Sequence, residues 1–266
     1  MRVTAVDAVA VGGRSWLHRA SPRAKVAAFA LVLVAVVASR NVLVVVAAGT
    51  ALAAVAVSAR LPGRIVGPLA AYPAVFALAF AFAAAPDVLT AALFVAKAAT
   101  AALAAVVLMS STPYPQVFAL VQPAVPEVVG DALLMTYRSL FLLADEFAAV
   151  LRAVRLRSGL RAWHPLRSAR ASVQSLGALV LYALDLAERE YDVMRLRGYE
   201  RRLRVALPPA DSPTVDAALV VGAVAVLAVA AAWRLAWSML GPYSWLPPLV
   251  ALACLATAAV MGRRRP

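Results

Sequence analysis

VLTAALFVAKAATAALAAVVLM, residues 88–109, is the stretch whose reading decides the fold class. It carries a single charge, Lys97, near its middle. At 1.5 Å per residue, a helix of this length is about 33 Å long and crosses the roughly 30 Å hydrocarbon core of a bilayer. Working outward, similar apolar runs occupy residues 65–85 and 42–59, and a shorter one occupies residues 26–39. The shorter run reaches a useful length if its helix begins near Pro22, since proline suits the first helical turn. Further towards the C-terminus, residues 217–233 and 246–261 repeat the pattern. The expected architecture is an all-α polytopic membrane protein with about six transmembrane helices.

Composition agrees. The 266 residues are 64% hydrophobic and 15% charged, against about 45–50% and about 25% in soluble domains. The net charge of +13 would suggest nucleic acid in a soluble chain. Here the bases lie between apolar blocks, as in the cytoplasmic loops of membrane proteins. With six spans, the N-terminal bases, Arg60, Arg64, an arginine-rich middle and Arg263 to Arg265 all fall on one side, leaving Arg40 as the lone base opposite. Both termini are then cytoplasmic in a prokaryotic plasma membrane. No signal-peptide layout is evident at the start. Cys254 has no partner for a disulfide and reads as a small hydrophobe.

Between residues 110 and 207 the character changes. Thirteen of the 26 Lys and Arg residues lie from Arg138 to Arg204, diluted by acids such as Asp145, Glu146, Asp185, Glu188 and Glu190. This mixture suits protein contact better than a purely cationic patch. Two amphipathic helices are expected, over about residues 126–157 and 172–197. The organisation is therefore residues 1–109 with four spans, 110–207 as a coupling-helix region, and 208–266 with two spans.

Both amphipathic helices end alike, in VRLRSG (residues 154–159) and MRLRGY (residues 194–199). Side chains two apart on a helix point about 200° apart, so Arg155 and Arg157 cannot share a face, nor can Arg195 and Arg197. Arg157 and Arg197 are expected to project, because Ser158 and Gly198 follow them directly. Two ordinary helix endings would explain the pattern, since glycine caps helices and arginine suits the negative end of the dipole. The functional reading is a pair of contact points for two similar partner subunits. Arginine is enriched at interface hot spots, and its planar fork of five donors suits carboxylates and backbone carbonyls.

At these residues the chain resembles the transmembrane scaffold, or T component, of energy-coupling-factor transporters, a family that includes the cobalt-transport permease subunit. That family carries two Ala-Arg-Gly-like or Ala-Arg-Ser-like signatures at the ends of cytoplasmic helices. They correspond here to Leu156-Arg157-Ser158 and Leu196-Arg197-Gly198, with leucine in place of alanine both times. Tyr199 extends the second signature in the family's manner. SWLHRASPRAKVAAFAL is similar to the family's approach to its first span, through Leu17, His18, Arg19, Pro22, Arg23 and Lys25.

The resemblance implies a non-catalytic subunit that binds two cytoplasmic ABC ATPases and one small substrate-binding membrane protein, for uptake of a vitamin or a cobalt or nickel ion. On that reading Arg155 to Ser158 and Arg195 to Gly198 are the ATPase-coupling residues. The chain needs no cofactor and binds no nucleic acid. It also contains no GxxxxGK[ST] loop to hold a nucleotide.

The remaining polar residues suggest other roles. His18 and His164 are too isolated for a metal signature. Lys97 either marks a bundle interior or a contact with a membrane partner, or it snorkels. Arg234, between Trp233 and Trp237, reads as an interfacial anchor. Asp185 and Glu188 are placed to pair with Arg189 or with bases on the first amphipathic helix. The rival classes are a self-contained secondary carrier, which would need a substrate path at the membrane midplane, a membrane enzyme, which would need a catalytic cluster, and a non-catalytic membrane interaction protein.

Overall fold

The computed structural model describes residues 9–13, 15–158, 165–199, 203, 212–236 and 241–264. The principal elements are α1 (Trp16–Arg19), α2 (Pro22–Ala38), α3 (Val42–Ser58), α4 (Gly63–Ala84), α5 (Val88–Ser111), α6 (Tyr114–Val121), α7 (Glu127–Ser158), α8 (Pro165–Leu196), α9 (Pro213–Leu235) and α10 (Leu246–Arg264). The chain divides into two compact units, one of Met1–Val117 with Leu207–Pro266 and one of Phe118–Ala206. It is an all-α, membrane-spanning helical protein. Among the described residues, α4, α5, α9 and the segment Gly241–Val260 are long and apolar enough to cross a bilayer.

Helices α2 and α3 have 17 residues each, or about 26 Å. Their ends are set by local chemistry. Ser21 accepts the N–H of Ala24, and Pro22 takes the first helical position. That starts α2 four residues before its apolar run. Asn41 Oδ1 accepts the N–H of Leu43 at 2.9 Å and starts α3. Pro165 likewise opens α8 seven residues earlier than the expected position near 172, because proline's missing N–H costs nothing in a first turn.

The first unit is built around α3, which packs against α2, α5, α9 and α10. Its core is mostly alanine and valine. Val32, Val36, Val45, Ala48, Ala104 and Ala223 form one buried cluster, and Ala35, Val44 and Ala230 another. Lipid tails are as apolar as these side chains, so burial itself drives little association. Small residues work instead by letting backbones approach and pack. Gly49 shows how close the approach is, because a Cβ there would lie 2.9 Å from Thr100 Oγ1 on α5.

A polar knot ties the helix ends on the α1 side. His18 Nε2 lies 3.2 Å from the carbonyls of Val9 and Ser110. Carbonyls only accept, so Nε2 carries the proton, and Nδ1 is left to accept from the Ser15 hydroxyl at 2.8 Å. Lys25 is buried, and its Nζ donates to the carbonyls of Ser111 at 3.0 Å and His18 at 3.3 Å. The N–H of Ser21 donates to Asp216 Oδ1 on α9 at 2.7 Å. The SWLHRASPRAK stretch thus fastens the start of α2 to the end of α5 and the start of α9. Gly13 is needed here, since a Cβ would fall 2.0 Å from His18 Nε2.

This knot makes stability depend on pH. Burial, reinforced by the charge of Lys25, lowers the His18 pKa below its ordinary 6.5. The folded state therefore binds fewer protons than the unfolded one just below that value, and stability falls as pH drops through it. Thermal unfolding of detergent-solubilised protein between about pH 7.5 and about pH 5.5 should show a larger loss for wild type than for His18→Gln. Equal losses would remove His18 from the account.

Candidate coupling site

The second unit holds both arginine-ended helices, α7 and α8, each of 32 residues. They pack against each other, with Arg138 Nε 3.3 Å from Glu190 Oε1 and Ser139 Oγ 3.4 Å from Glu190 Oε2. Asp185 pairs with Arg189 within α8. Contacts of residue 131 with 199 and of 138 with 190 have the register of antiparallel helices: one number rises as the other falls.

The end of α8 is a Schellman motif. Tyr199 N–H donates to Met194 O at 3.0 Å, and Gly198 N–H to Arg195 O at 3.1 Å. Gly198 sits at φ +74°, the left-handed conformation that this stop requires and that glycine adopts without a Cβ penalty. Within this motif Arg195 and Arg197 separate in role. The Arg195 guanidinium lies 5.9 Å from the centre of the Tyr191 ring, one turn back along α8. Arg197 follows the last helical residue and is exposed.

Beyond Gly198 the chain is clamped to the start of α7. Asp131 is only 6% exposed. Its Oδ2 accepts the Tyr199 hydroxyl at 2.5 Å, and its Oδ1 accepts the N–H of Leu203 at 2.9 Å. Gln122 adds a bond from Nε2 to Leu203 O at 2.8 Å. Gly130 leaves room for that glutamine, since a Cβ there would lie 2.7 Å from its Cγ. A buried carboxylate is costly unless its lone pairs are filled, and here O–H and N–H donors fill them. Sequence reasoning missed Asp131. The available signal was an acid beside a glycine, one turn after Glu127, at the start of a mostly apolar run.

Arg155, Leu156, Arg157 and Ser158 form the last residues of α7. The side chains of Arg155, Arg157 and Ser158 lie outside the described residues, as does His164. Leu156 and Leu196, which precede the two projecting-arginine positions, are each 88% exposed. The two placements match. Because Tyr199 is anchored at Asp131, the position of Arg197 is referred to the start of α7. Arg157 lies 26 residues further along that helix, or about 39 Å at 1.5 Å per residue. The two arginine ends are therefore held apart at opposite ends of α7.

Lys97 belongs to the first unit. Its Nζ donates to the carbonyl of Val37 at 3.0 Å. Among the described residues, no group of three or more His, Cys, Asp and Glu side chains is arranged to hold a metal ion.

The sequence profile of the cobalt transport protein CbiQ family matches residues 13–207. A cobalt transport protein CbiQ from Rhodobacter capsulatus is 36% identical over 107 residues. That alignment covers 39% of this chain and 42% of the relative, so the match spans under half the length of each.

Proposed function

This chain belongs to the cobalt transport protein CbiQ family, and from that premise we propose that it is the transmembrane scaffold of an ATP-driven energy-coupling-factor importer. The scaffold joins two cytoplasmic ABC ATPases to one small substrate-binding membrane subunit. Hydrolysis belongs to the ATPases. The cargo class is a vitamin or a cobalt or nickel ion, and cobalt is the one for which the related protein is named. Six spans, α2 to α5 with α9 and α10, carry the chain through a prokaryotic plasma membrane with both termini cytoplasmic. Residues 1–109 and 208–266 form the membrane regions, and residues 110–207 form the coupling region.

The observation that carries this reading is the pair of like helix ends. Leu156-Arg157-Ser158 and Leu196-Arg197-Gly198 end two helices of equal length and are spaced about 39 Å apart along α7. One contact point would serve one partner. Two similar ones at that separation suit two copies of a similar partner, each receiving an arginine and the exposed leucine before it. Movement of the ATPases relative to each other then pulls on the two ends of α7 and α8. The clamp at Asp131 transmits that movement, since it fixes the second arginine end to the start of the first helix.

Affinity purification of the tagged chain from its native host tests the reading. Two ATPase subunits and a small membrane protein should co-purify. Uptake by the chain alone in liposomes without ATP would contradict it and favour a secondary carrier.

A further inference from the structure

Three cations gather at the end of the first unit opposite the His18 knot. Arg40 stands in the α2–α3 turn, Arg234 near the end of α9, and Lys97 on α5 within electrostatic reach of both. None has a carboxylate partner among the described residues. The acid just before α5, Asp87, is ten residues from Lys97, about 15 Å along the helix, and it accepts from the Thr90 hydroxyl. Lys97 and Arg234 each give one donor to an α2 carbonyl, Val37 O at 3.0 Å and Ala38 O at 2.9 Å, which fixes both and leaves their other N–H groups available.

Arg40 and Arg234 line a cavity of about 330 Å³ together with Ser39, Asn41, Ala230 and Trp233, and Lys97 stands behind it at the end of α2. Among the described residues, two of the cavity's side chains carry buried donors without an acceptor, Asn41 Nδ2 and Trp233 Nε1. Asn41 uses Oδ1 to cap α3, so its amide nitrogen is the half left over. The N-terminus of α3 contributes a positive dipole end and the C-termini of α2 and α9 negative ones, and the α2 end is met by the Lys97 and Arg234 donors. Among the described residues, the two orphaned side-chain atoms at this cavity are both donors, and its charged side chains are both arginines. A buried donor without an acceptor is costly, and an anion at this place would offset that cost.

The depth of the site indicates which anion. Lys97 is nine residues, about 14 Å, into α5 and reaches the end of α2, so α2 ends inward of the start of α5. Short helices draw the bilayer surface inward. Exposed apolar side chains flank the recess, namely Val34 and Val37 on α2 and Leu235 on α9. They offer acyl chains a surface directly beside the cations. Tryptophan at this level suits the headgroup zone.

We propose that this recess binds the phosphate headgroup of an anionic phospholipid, with Arg40, Lys97 and Arg234 neutralising it and Asn41 and Trp233 completing its hydrogen bonds. The site anchors the short α2–α3 end of the bundle at a fixed depth. It is independent of the transporter reading, because it requires only that the chain be embedded in a bilayer.

The test titrates the full chain in neutral detergent with short-chain phosphatidylglycerol, with phosphatidylcholine of the same chain length, and with inorganic phosphate, reading the shift in thermal unfolding. Phosphatidylglycerol should stabilise the protein saturably while the other two do not. Arg40→Gln with Arg234→Gln should weaken that response roughly thirtyfold, from about 1 kcal/mol per surface arginine. Trp233→Phe, which keeps the ring and removes only the N–H, should weaken it by a smaller factor. Equal stabilisation by phosphatidylcholine, or unchanged response in both variants, would overturn the site. A phosphate response equal to that of phosphatidylglycerol would replace the lipid with a free anion. No lipid response, with Lys97 instead cross-linking to an acidic residue of a membrane partner, would assign the cations to a protein contact.

Discussion

Arg157→Ala combined with Arg197→Ala is expected to abolish ATP-coupled uptake while leaving the membrane fold intact. Arginine truncation at an interface hot spot costs about 2 kcal/mol or more. Two such losses in separate contacts sum to about 4 kcal/mol, on the order of a thousandfold in affinity. Arg197 is exposed beyond the last turn of α8, so its removal disturbs no packing. The melting temperature of the purified chain should therefore stay within about 2 °C of wild type, as surface substitutions do. Each single variant should retain one ATPase contact and lose the other. Normal complex yield together with normal uptake in the double variant would remove these residues from coupling. The leucines that replace alanine in both signatures belong to the same test. Leu156→Ala and Leu196→Ala should change affinity by less than the arginine variants, since they leave the fork of donors in place.

The second large effect is expected at Asp131. Asp131→Ala leaves the Tyr199 hydroxyl and the Leu203 N–H without their acceptor. Hydrogen bonds to a charged group contribute about 1.5–3 kcal/mol each, so the clamp should lose about 3 kcal/mol or more. The effect should be local. Hydrogen exchange at the Leu203 amide should accelerate at least a hundredfold, while amides in α3 and α5 keep their protection. Coupling should fail selectively at the second arginine end, with Arg197 no longer held at the start of α7. Tyr199→Phe, which removes one donor and leaves the carboxylate bonded to Leu203, should cost about half as much, about 1.5 kcal/mol. An Asp131→Ala protein with unchanged exchange at Leu203 would show that the clamp does not hold this segment.

Both predictions turn on what the sequence carries and what it hides. The long apolar runs at 65–85 and 88–109 are legible because a bilayer requires uninterrupted hydrophobicity over a fixed length, and the helices there follow the runs closely. The start of α2 is set by Ser21 and Pro22, which lie before its apolar run. Hydropathy alone therefore places that helix late. The repeated LRSG and LRGY endings were visible as a local pattern, and the stop at Gly198 follows from glycine's freedom at positive φ. The fastenings were not legible. Tyr199 meets Asp131 across 68 positions, and Ser21 meets Asp216 across 195. No local periodicity encodes such pairs. The three cations of the recess were each visible, yet they lie on α5, α9 and the α2–α3 turn, and only packing brings them together.

The central claim is that the two arginine ends engage two different ATPase subunits of one complex. Leu156→Cys and Leu196→Cys, made separately in a Cys254→Ser background, place a thiol beside each arginine at positions that are 88% exposed. Cross-linking within the purified complex, read by mass spectrometry of the linked peptides, then identifies what each end touches. The account predicts that residue 156 links to one ATPase subunit and residue 196 to the other, at equivalent places on each. Both thiols linking to the same subunit, or neither linking to an ATPase in a complex that still hydrolyses ATP, would contradict it.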